Sequence, residues 1–117
     1  MTSVRETLNA AADLLEKPGA WTQGTFFVDD DGQHVEIRAG IAGAGSCMCM
    51  RGAIYRLVGD INMPPAVRSA LHAVVPPMPK DQKALCPITA FNDAPHRTQA
   101  EVVQALRDAA LAAGEGQ

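Results

Sequence analysis

The sequence predicts an α+β fold, with four helices packed around a β-hairpin and a short additional strand in a single domain spanning residues 1–117. Three observations lead there. Segments near both ends carry apolar residues at helical spacing behind a hydroxyl cap. Two β-prone runs flank a turn of Asp and Gly, the composition of a hairpin. The stretch after them is apolar on nearly all sides, the pattern of a helix buried at the centre of its domain.

Residues 3–17 read as an amphipathic helix. Ser3 and Glu6 make a capping box, and Val4, Leu8, Ala11 and Leu15 share one face opposite Glu6, Asn9, Asp13 and Lys17. Pro18-Gly19 stops it. In the hairpin, residues 24–39, the strands are Thr25 to Val28 and His34 to Ile37, joined by Asp29-Asp30-Asp31-Gly32. The glycine-rich stretch 40–45 leads to Ser46, which caps a second helix ending near Val58. Cys47, Met50, Ala53, Ile54, Leu57 and Val58 make that helix apolar all round, the expected structural centre. Pro64-Pro65 opens a third helix with Val67, Ala70, Leu71 and Val74 inward. Pro76-Pro77-Met78-Pro79 ends it, and residues 76–86 are the expected mobile loop. Ile88 to Phe91 is the short additional strand. Thr98 and Glu101 box the last helix, which turns Val102, Leu106, Ala109 and Ala113 inward and ends at Gly114, with 114–117 frayed.

A chain of 117 residues that is 47% hydrophobic and 20% charged holds one globular core, unlike a disordered tail. Aromatics are only 4%, so Leu, Val, Ile and Met must fill a thin core. A net charge of −3 with no basic run argues against duplex nucleic acid as a partner. No apolar stretch approaches the roughly 20 residues of a membrane helix, so no membrane partner is expected. Met1 to Glu6 lacks the pattern of an export signal. The three cysteines are therefore expected to be reduced, in a cytoplasmic protein.

Gly40-x4-Gly45-Ser46, between strand and helix, resembles a phosphate-binding loop, in which backbone amides and a helix N-terminus hold an anion. The lysine of such loops is missing, so no nucleotide hydrolase is predicted. What remains is an anion cradle at Gly45 and Ser46, or an ordinary connector closed by a serine cap. Cys47-Met48-Cys49, Cys86 and three histidines invite a metal reading. On a helix, however, Cys-x-Cys turns its thiols about 200° apart, so no metal and no cofactor is expected. The thiols then read as small buried hydrophobes. Cys86-Pro87 matches the minimal haem-responsive dipeptide, which is too short to carry weight. Cys47 at a helix start, with His96 folded near it, would make a cysteine-dependent enzyme, the least favoured functional reading. Asp29 to Gly32 is out of register for an EF-hand and reads as a solvated hairpin tip.

Asn92-Asp93-Ala94-Pro95-His96-Arg97-Thr98 gathers polar side chains immediately before a helix start. Either they bind turn backbone and cap the helix, or the loop is a recognition surface for a polar ligand. Arg51 joins the second reading. A charge on the most apolar helix needs a partner, and Asp93 is the expected one. The candidate ligand-binding set is accordingly Gly45, Ser46, Arg51, Asn92, Asp93, His96 and Arg97, with no catalytic residue assigned.

Trp21-x2-Gly24, Cys49-x2-Gly52-Ala53, Phe91-Asn92-Asp93, Arg97-Thr98 and Glu101-Val102-Val103 follow one another behind an opening helix. This order resembles a family of uncharacterised small proteins of actinobacteria and their phages, from about Leu8 to Ala113. It departs at Phe91, where the family is expected to carry Trp, which puts in doubt any role of that ring beyond packing. The resemblance brings no activity and no catalytic residues. It implies a phage or prophage accessory gene whose product acts on host machinery or a host signal. Two functional expectations follow. The first is a non-enzymatic interaction protein that binds a host or self protein, a homodimer included, through adaptable Met- and Pro-rich segments. The second is a small-ligand binder that holds a nucleotide-like anion between the Gly45 and Ser46 amides and the polar groups of Asn92 to Arg97.

Overall fold

The computed structural model describes residues 3–23, 27–28, 47–59, 63–76 and 87–113, and capping and apolar spacing place five helices among the described residues. α1 is Val4–Glu16, α2 Met50–Val58, α3 Pro65–His72, α4 Pro87–Asp93 and α5 Gln99–Ala113. Two two-residue strands, β1 (Phe27–Val28) and β2 (Cys47–Met48), pair antiparallel, and Trp21 bridges Met48 on a parallel register. Among the described residues no helix is long and apolar enough to cross a membrane.

The fold is therefore helical, and the α+β expectation fails. The turn at Asp29 to Gly32 and the strand His34 to Ile37 lie outside the described residues, and the described pairing of Phe27–Val28 is with Cys47–Met48. A two-residue ladder is a local contact and cannot form a layer for helices to pack on. The expected strand Ile88 to Phe91 is α4. A run of four residues, three of them apolar, does not distinguish strand from helix. The residues around them do: Pro87 opens the first turn, and Ile88 and Asn92, four apart, are both buried while Phe91 packs on the core.

α2 also starts later than Ser46, which lies outside the described residues, as do Gly45, Cys86, the loop 77–86 and residues 114–117. The Met48 amide donates to the Ala20 carbonyl at 2.7 Å, and the Thr22 amide donates to the Met48 carbonyl at 3.0 Å. These bonds hold β2 extended and delay the helix. Cys49 becomes the cap, its sulfur accepting the Gly52 amide at 3.3 Å. The positive φ of Gly59 (74°), where a side chain would be strained, ends α2. Nor is α2 buried on all sides. Met50, Ala53 and Ile54 are in the core, but Leu57 is 41% exposed.

α1 is the hub instead, touching α2, α3 and, most extensively, α5. Leu8, Ala11, Ala12 and Leu15 of α1 are fully buried, and Val102, Ala105, Leu106, Ala109 and Ala110 of α5 join them in one cluster. Alanines on both faces leave room for the two helices to approach closely. Polar bonds fix their register. The Gln99 amide donates to the carbonyls of Leu15 and Lys17 at 2.6 and 2.7 Å, satisfying acceptors that the end of α1 leaves open. The Arg107 guanidinium donates to Asp13 at 2.7 Å, to Glu16 at 3.1 Å, and to the carbonyl and side-chain oxygen of Asn9 at 3.2 Å each.

Both helices begin where their caps stand. Ser3 Oγ accepts the Glu6 amide at 3.0 Å. At α5 the box is reciprocal: the Glu101 amide donates to Thr98 Oγ1 at 3.2 Å, and the Thr98 amide donates to Glu101 Oε1 at 2.9 Å. The Thr98 amide, first among the causes, holds the Glu101 carboxyl below its ordinary value. A lowered folded-state pKa gives stability that is present above the unfolded value and lost as pH falls through the folded one. Glu101→Gln keeps a cap acceptor and does not titrate. Thermal melts should thus rank the wild type above the variant at pH 7, with the gap closing toward pH 2. A pH-independent gap would refute this.

Candidate functional site

Three described segments that are distant in sequence meet at one buried side chain, Asn92, which is 2% exposed. Its position on α4, one turn after Ile88, aims it inward at the start of α2. Its Oδ1 accepts the Trp21 indole N–H at 2.7 Å and the Met50 amide at 3.2 Å. Its Nδ2 donates to the Thr22 carbonyl at 3.1 Å and to Asp93 Oδ1 at 2.8 Å. Four bonds match the hydrogen-bonding capacity of a primary amide. The Met50 amide is an orphan donor of α2, so Asn92 caps one helix from another.

The end of α4 is satisfied in the same way. Gln23 Nε2 donates to the carbonyls of Asn92 and Ala94 at 2.9 and 3.0 Å, and Arg97 Nε donates to the Phe91 carbonyl at 2.8 Å. The Arg97 guanidinium also lies 3.8 Å from the centroid of the Phe91 ring and reaches Glu101 at 3.5 Å. Phe91 is thus a platform for Arg97 as well as a packed ring. His96, exposed after Pro95, takes φ 69°, a left-handed conformation uncommon outside glycine.

Of the candidate ligand-binding residues, Asn92 bonds the Met50 amide and the Thr22 carbonyl, outside its own turn, and Arg97 bonds the Phe91 carbonyl. Arg51 and Asp93 are both within electrostatic reach of the Cys49 thiol, so the fold brings them to one locality. Burial pushes that thiol above its ordinary pKa, against the opposing pull of the Gly52 amide, and keeps it protonated at neutral pH. Cys49 is accordingly a cap and not an activated nucleophile. The helical Cys-x-Cys geometry used against a metal no longer applies, since Cys47 lies in β2. Among the described residues no group of three or more His, Cys, Asp and Glu could hold a metal ion.

Described residues line a groove and a cleft beside this scaffold. A groove of about 420 Å³ between α1, the end of α2 and the start of α3 is lined by Val4, Thr7, Ala10, Leu57, Val58, Pro64 and Val67. A cleft of about 160 Å³ between α2, α3 and α4 is lined by Arg51, Met63, Arg68, His72 and Ile88. Sequence reasoning reaches Arg51 but misses Arg68 and His72. Their spacing of four on α3 is the available signal, since it puts both on one face.

A family model described as a family of unknown function (DUF6197) matches residues 1–112. No curated protein and no solved structure matches the chain.

Proposed function

We propose a binding role for this chain, which belongs to that family of unknown function: it seats apolar side chains of a partner protein in the groove between α1, α2 and α3. The observation that carries this is Leu57. It continues the stripe of Met50 and Ile54 at the spacing that buries them, yet it is 41% exposed because it stands over the groove. Leaving a leucine half in water forgoes roughly 1 kcal/mol or more of burial, which an occupant would recover. Six of the seven lining residues carry apolar side chains, which suits contact and offers little to chemistry. The partner is a host protein or a second copy, and the gene is a phage or actinobacterial accessory gene, as the resemblance of its motifs suggests. The anion reading drawn from Gly45 and Ser46 rests on residues outside the described structure.

The test does not require the partner to be identified. A random peptide library is selected on the immobilised protein and counter-selected on Leu57→Glu, a change at an exposed position that leaves the core alone. Enriched peptides should carry apolar residues three and four apart, and should lose at least about tenfold in affinity on the variant. Equal enrichment on both proteins would overturn the reading. Sedimentation velocity across concentration identifies a second copy as the occupant if self-association appears and vanishes in Leu57→Glu.

A further inference from the structure

We draw no further inference here: the strongest candidate, the buried Cys49 thiol at the start of α2 with Arg51 and Asp93 in electrostatic reach, is one cysteine whose sulfur already accepts the Gly52 amide, and nothing among the described residues around it points to a ligand.

Discussion

Replacing Asn92 with Leu should lower the stability of the protein by about 3–5 kcal/mol, although the two side chains differ little in size. The change deletes the acceptor of the Trp21 indole and the Met50 amide, and the donor to the Thr22 carbonyl. Each buried group left without a partner costs about 1–3 kcal/mol, and the partial exposure of the Trp21 and Thr22 contacts moderates the sum. Trp21→Phe removes one donor together with its need for an acceptor, and should cost only about 1 kcal/mol. The double variant should lose less than the two singles combined, because once Asn92 is replaced the indole has no bond to lose. Urea unfolding monitored by circular dichroism measures all three. A loss below about 1 kcal/mol for Asn92→Leu would mean that water satisfies the network.

Ile54→Ala should cost about 2–5 kcal/mol, the range for emptying a closed core site. Ile54 is 1% exposed, and both α1 and α4 pack against its helix, so the space left behind has little freedom to collapse. Leu57→Ala on the same stripe should cost no more than about 1 kcal/mol, because its side chain already meets water over the groove. The ratio between these two variants is the sharper measurement. Equal losses in urea would mean that the groove is closed in solution and that Leu57 belongs to the core.

The helices at either end are readable because two independent local signals agree. At α1 the Ser3 cap coincides with a stripe of Leu8, Ala11 and Leu15, and at α5 the Thr98–Glu101 box precedes Val102, Leu106 and Ala109. α3 is readable for the same reason, from Pro65 at its first turn and the spacing of Val67 and Leu71. The middle of the chain misleads where a local signal has a tertiary competitor. Ser46 is a good helix cap by composition, but β2 is held extended by hydrogen bonds to Ala20 and Thr22, which no local window contains. Ile88 to Phe91 is too short for its period to be seen, and the bond from the Met50 amide to Asn92 at the end of the same helix lies outside any local window. The candidate site is legible as a gathering of polar side chains and opaque as to their purpose. Nothing around Asn92 in sequence announces that its partners are Trp21, Gln23 and the start of α2.

The bond from Gln99 to the Leu15 carbonyl joins residues 84 apart in sequence. α1 can acquire its main packing partner only after α5 has left the ribosome, so the first helix made is among the last to be secured. Closing so long a loop is slow, and an isolated helix as short as α1 is marginal in water. During synthesis, Leu8, Ala11, Ala12 and Leu15 therefore form a transient sticky surface that chaperones and proteases can read. A premature stop anywhere before α5 would leave that surface open for good, and such truncated products should be degraded rather than accumulate.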